Sequence, residues 1–230
     1  IEFIVNDHTL DKNGNYLKFL SSDESTIHLK DTTARTTFSQ ANLTDFSLDF
    51  SVGDLALGKY GYQCDSLSVS EGNSLIDLDL DSSKFNIFRP QDITLTTNLT
   101  EGINSTDYPI QSASISVGIE RRPTIRVGER GAKRRYPVLP AQGSLSISIL
   151  KNKVEETLDL SSLVAKKGNF TFVISETALG SASANPNLNV VVHDCFLNSV
   201  SQSHSLDGNA SLDFSYTFPI SNDAIEYYFS

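Results

Sequence analysis

Alternation with a period of two dominates this chain and marks strands that bury one face. In QSASISVGI (111–119), Ala113, Ile115, Val117 and Ile119 share one face and serines fill the other. GSLSISIL (143–150) repeats the pattern with Leu145, Ile147 and Ile149, and ASLDFSYTFPI (210–220) with Leu212, Phe214, Tyr216, Phe218 and Ile220. FSLDFSV contributes Phe46, Leu48, Phe50 and Val52, and LIDLDLD contributes Ile76, Leu78 and Leu80. NFTFVI and NLNVVVHDCFL read as further strands, the second more continuously apolar and so expected nearer the centre of a sheet. The pattern predicts an all-β protein, a sandwich or barrel of antiparallel strands.

One short helix is expected at about 159–167. Asp159 or Ser161 can cap its start, Leu160, Leu163 and Val164 form a narrow apolar stripe, and Lys166 and Lys167 suit its C-terminal end before Gly168. The first ~40 residues alternate poorly and read as an arm or irregular edge. FSLDFSVG (46–53) and QSASISVG (111–118) echo one another without gaps, as do GNSLIDLDLD (72–81) and GNASLDFSYT (208–217). The turn-rich stretch TEGINSTDYP divides the chain into a β-rich region, 1–108, and a module, 109–230. The first region is read as a degenerate second copy or an interface domain.

Charge sharpens this picture. The chain carries a net charge of -10, yet six of its eight arginines and Lys133 fall within fifteen consecutive residues. Residues 120–135 hold seven basic and two acidic groups, a net of +5, so the remainder carries -15. A surface so acidic repels phosphate and argues against non-specific nucleic-acid binding by the whole molecule. The basic residues Arg121, Arg122, Arg126, Arg130, Lys133, Arg134 and Arg135 lie between two of the clearest strands, cut by Pro123, Gly128, Gly131 and Pro137. They are therefore expected on a long hairpin loop. Docking on an acidic partner is favoured over a nucleic-acid patch, since Tyr136 is the one aromatic there and no groove-reading helix accompanies it. A plain solvated loop is the other alternative, and a dibasic processing site after Arg135 is the weakest reading.

Little else in the sequence points to chemistry. Asp77, Asp79 and Asp81 share one strand face about 6.6 Å apart and read as a solvated acidic face. An EF-hand would require Gly near Ser82 and Glu near Phe88, and neither is there. His193, Asp194 and Cys195 are consecutive, so on a regular strand His193 and Cys195 point one way and Asp194 the other, which is no nucleophile set. With no P-loop, GxGxxG, HExxH or GxSxG motif, the expectation is a protein without enzymatic activity, cofactor or metal. Cys64 and Cys195 can form at most one disulfide. Asn42, Asn98, Asn104, Asn169 and Asn209 open glycosylation sequons, three of them beside or within expected strands. No apolar run approaches 18 residues, so no transmembrane helix is expected. The N-terminus lacks the pattern of a signal peptide. With no methionine in the chain, Ile1 is expected to follow processing or trimming.

The order of features over 109–220 resembles the tail tube (major tail) proteins of bacteriophages. A serine-alternating strand, QSASISVGIE, leads through the charged loop into GSLSISIL. The segment DLSSLVAKKG then precedes NFTFVI, and the hairpin VVVHDCFLNSVSQSHSLDGNASLDFSYTFPI closes the module. The resemblance implies a virion structural protein, assembled in the host cytoplasm, that self-assembles as a homo-oligomer into rings or a tube and contacts other tail proteins. DNA would be transiting cargo only. It implies that the basic loop reaches a neighbouring subunit or ring, and that Asp77, Asp79 and Asp81 are candidates for an acidic lumen face. Residues 1–108 depart from the single-module pattern. A collar component or other tail part fits the same features. The alternative class is a secreted or surface β-sandwich module, motivated by the sequons and the two cysteines.

Overall fold

The structure is a computed structural model and describes residues 2–4, 25–30, 34–71, 90–98, 109–125, 127–128, 132, 134–151, 167–176, 187–204, 210–221 and 223–229. Those residues form strands joined by turns and short irregular segments, with no helix among them. The strands are β1 (Glu2–Ile4), β2 (Ser25–Lys30), β3 (Ala34–Ser51), β4 (Leu57–Gln63), β5 (Ser66–Glu71), β6 (Pro90–Thr97) and β7 (Ile110–Gly118). There follow β8 (Arg121–Thr124), β9 (Arg134–Pro137), β10 (Gln142–Lys151), β11 (Lys167–Glu176), β12 (Asn187–His204), β13 (Ala210–Pro219) and β14 (Ile225–Phe229). The helix expected over 159–167 falls outside the described residues except for Lys167, which opens β11 instead.

Twelve strands join in one antiparallel sheet, ordered β1-β4-β3-β7-β10-β13-β12-β11-β6, with β2 and β5 on β3 and β14 on β12. Strands from both sides of residue 108 therefore interleave, and Phe46, Phe50, Ile93 and Leu95 share a core cluster with Ile115, Ile147, Phe172 and Phe214. The two echoing segments turn out to be neighbours: Phe46 lies opposite Val117 and Phe50 opposite Ala113.

The sheet closes upon itself. Five steps of about 4.8 Å separate β3 from β11 along the sheet order, roughly 24 Å if it were flat. Yet the Phe50 ring on β3 lies 6.2 Å from Phe172 on β11. Phe170 on β11 likewise stands 4.6 Å from Tyr216 on β13. Only a strongly curled sheet, sandwich-like with its apolar face inside, makes those contacts.

Two strands of eighteen residues make the curl possible, and each contains a non-glycine residue at positive φ. In β3 this is Gln40 (φ 53), where the strand passes from β2 and β5 to β4 and β7. In β12 it is Asp194 (φ 60). There the strand passes from pairing with β11 and β14 to pairing with β13. A bulge inserts one residue, bends the strand and resets which face points inward. Val192 and Cys195 are consequently both buried, while His193 and Asp194 lie half-exposed between them. This corrects the regular-strand expectation: His193 and Cys195 do not share a face.

Close packing also fixes a glycine. Gly143 on β10 lies opposite Phe218 on β13, and a Cβ there would overlap the Phe218 ring. Gly143→Ala is expected to cost about 1–3 kcal/mol through overpacking, lowering the thermal midpoint by roughly 3–10 °C. A thermal melt followed by circular dichroism checks this, and an unchanged midpoint would contradict the packing described.

Candidate interface: the anchored arginine ribbon

The basic segment is a hairpin whose base is two-stranded, with Pro123 and Pro137 inside its strands. β8 and β9 form a two-stranded ribbon with Arg121 opposite Pro137 and Thr124 opposite Arg134. It continues the inward-outward phase of β7. Residues 113, 115, 117 and 119 are buried, and Arg121 follows them at 7 % exposure.

Burial of an arginine demands acceptors. Arg121 Nε donates to the Leu43 carbonyl at 2.7 Å, beside the register shift between Leu43 and Asp45, and Nη1 donates to the Arg135 carbonyl at 3.4 Å. Burial pulls its guanidinium pKa down. Arg135 reaches the turn between β4 and β5 and forms a two-pronged pair with Asp65, through Nη2 to Oδ1 and through Nε to Oδ2 at 3.1 Å. The Asp65 hydrogen bond pushes the Arg135 pKa up, against desolvation. Both side chains are almost covered, at 12 % and 10 % exposure. The Val138 amide closes the base by donating to the Glu120 carbonyl at 2.9 Å.

Two of the seven predicted interface residues are thus turned inward as fasteners. Arg122 and Arg134 point to solvent, and the contact of Arg122 with Glu120 is a loose 3.6 Å between exposed groups. Such a pair contributes little. Arg126, Arg130 and Lys133 lie outside the described residues, as do Asp77, Asp79 and Asp81. Near the tip, Ile125 and Val127 are exposed.

A second surface emerges from the register of the sheet. Serines that alternate along each strand align across strands, so the outer face carries rows of hydroxyls. One row runs Lys59, Ser47, Ser116, Ser144, Thr217; the next runs Asp49, Ser114, Ser146, Ser215, Ser199. Ser116 and Ser144 share a hydrogen bond of 2.7 Å, and Ser148 Oγ donates to Asp213 Oδ1 at 2.7 Å. The alternation was legible in the sequence. The alignment into rows depends on register, which it did not show.

The His193–Asp194–Cys195 segment does structural work. Asn98 Oδ1 accepts the Asn169 amide at 2.8 Å, Asn169 Oδ1 accepts the Asp194 amide at 3.0 Å, and Asp194 pairs with Lys167 at 2.8 Å. These side chains bridge the ladder where the bulge interrupts it. Cys195 is fully buried, and burial followed by the nearby Asp194 charge pushes its thiol up to about 12. Both cysteines are free. Asn42, the first sequon asparagine, is 2 % exposed, and Asn169 is committed to the bulge.

Asp65→Asn leaves the Arg135 guanidinium without its charge partner. The expected loss is about 1–3 kcal/mol, below that of a fully buried pair because the edge of this one touches water. Trypsin should cut the ribbon several-fold faster in this variant while the β-rich circular dichroism spectrum persists. Unchanged proteolysis would show that the pair does not hold the ribbon.

No family model matches the chain, and no curated protein matches it.

Proposed function

We propose that this chain is a non-enzymatic virion structural protein, a phage tail tube or related tail or collar component, that assembles with copies of itself in the host cytoplasm. The observation that carries the reading is the ribbon, with its base fastened by Arg121 and Arg135 while Arg122 and Arg134 face solvent. A purely solvated loop has no need of two arginines committed to holding its base. A pre-positioned cationic element on a chain otherwise at -15 fits an acidic partner, and the most abundant acidic partner is another copy.

The outer face supports the same reading. Its rows present hydroxyls with Asp49, Asp213 and the neighbouring Asp45 against the single cation Lys59, among the described residues. Phosphate finds little to hold on such a face, so DNA could pass it without binding. Against the secreted-module alternative stand the burial of Asn42, one of its five sequon asparagines, and the free state of both cysteines.

The ribbon residues divide by role, and the test follows that division. Serine at Arg122, Arg126, Arg130, Lys133 and Arg134, with Arg121 and Arg135 kept, is expected to leave a folded monomer that no longer forms ordered oligomers. Sedimentation velocity at matched concentration decides it. Oligomers identical to those of the unmodified protein would overturn the docking role.

A further inference from the structure

A groove of about 400 Å³ opens on the outer face where β4, β3 and β7 run side by side. Asp45 stands in its floor. Its cross-strand neighbours are Gly61 on one side and Gly118 on the other, so the carboxylate is the one side chain in its row across these three strands. Lys59, Ser47 and Ser116 form the adjoining wall.

The two carboxylate oxygens differ. Oδ2 accepts a hydrogen bond from Thr44 Oγ1 at 2.7 Å and leans over Gly61, where an added Cβ would fall 2.7 Å away. Oδ1 faces Gly118, where an added Cβ would still be 3.8 Å distant, and it has no hydrogen-bond partner among the described residues. Lys59 lines the groove without forming an ion pair with Asp45. An acceptor is left open, with space above it and hydroxyls beside it.

We infer that this groove receives the Arg134 side chain from the ribbon of a second copy. The inference rests on the docking reading above and names its acceptor. A guanidinium is a flat fork of five donors. It can donate to Oδ1 while its remaining N–H groups reach the Ser47 and Ser116 hydroxyls, and Gly118 gives it room to lie flat. A lysine would supply a point charge and leave the hydroxyls unused. The chain's own Arg134 does not line the groove; it lies opposite Thr124, six residues beyond Gly118. The ribbon base is meanwhile held by Arg121 and by Arg135. Repeated head to tail, a groove on one copy and a ribbon on the next generate rings or open filaments.

Asp45→Asn removes the charge and keeps the shape and an acceptor for Thr44. It is expected to raise the concentration needed for half-assembly at least tenfold in sedimentation velocity, with an unchanged circular dichroism spectrum. A second measurement uses two chains, both carrying Cys64→Ser, one with Asp45→Cys and the other with Arg134→Cys. Mixed and oxidised, they should give a disulfide-linked heterodimer that neither chain gives alone. If Asp45→Asn assembles normally while the five-residue serine variant does not, docking stands and this acceptor is overturned. If both assemble normally, docking itself fails and the acceptor with it. Absence of the mixed disulfide in assembling chains would also overturn the inference.

Discussion

The fold depends on where the period-two alternation is allowed to slip. In any strand a shift of one residue sends every later side chain to the opposite face. This sheet places such shifts at a few points and uses each to turn the chain around one core. In β12 the inward residues are 188, 190 and 192, then 195 and 197, then 200. The first reset lies at His193–Asp194 and the second between Leu197 and Ser199. Asp is among the residues that tolerate the left-handed region, which explains its place at the first reset. The Asn98–Asn169–Asp194 hydrogen bonds supply partners where the ladder cannot. With those resets, one strand serves both halves of the curled sheet.

The same economy governs the arginines. A run of like charge reads from sequence as one functional patch, but Arg121, Arg122, Arg134 and Arg135, its described members, sit on two short strands and meet different surroundings. Arg121 inherits the inward phase of β7 and must find acceptors. Arg122, one residue later, faces water. A carboxylate at the β4–β5 turn places Asp65 within reach of Arg135, across seventy residues of sequence. The ribbon's direction is therefore set by the body of the protein, and its charge is left for use outside it.

Much of the fold was legible where apolar and polar residues alternate cleanly. β7, β10, β11 and β13 follow the pattern closely, with buried residues at every second position over most of their described length. β4 and β6 escaped notice for physical reasons. LGKYGYQ has a glycine, Gly61, where the outward row makes room for Asp45, and the alternation of PQDITLTT rests on Ile93 and Leu95 among its described side chains. The continuous apolar run in β12 pointed to a place nearer the centre of a sheet, and β12 is indeed flanked by β11, β13 and β14; within it Phe196 is 40 % exposed, because the run also records a change of phase. The loop's position and charge were readable from sequence. The division of its arginines into fasteners and free cations was not, because Leu43 and Asp65 are distant in sequence. The acidic segment with Asp77, Asp79 and Asp81 lies outside the described residues, and Asp45 had no signal in the sequence, because the glycines that flank it do so in space.

The central claim is that this acidic β-fold with a fastened cationic ribbon exists to join copies of itself. Electron images of the purified, unmodified protein over a range of concentrations test it most directly. The account predicts closed rings of uniform diameter, or tubes built from stacked rings, as concentration rises. Dispersed single particles of about 25 kDa at every concentration would contradict it.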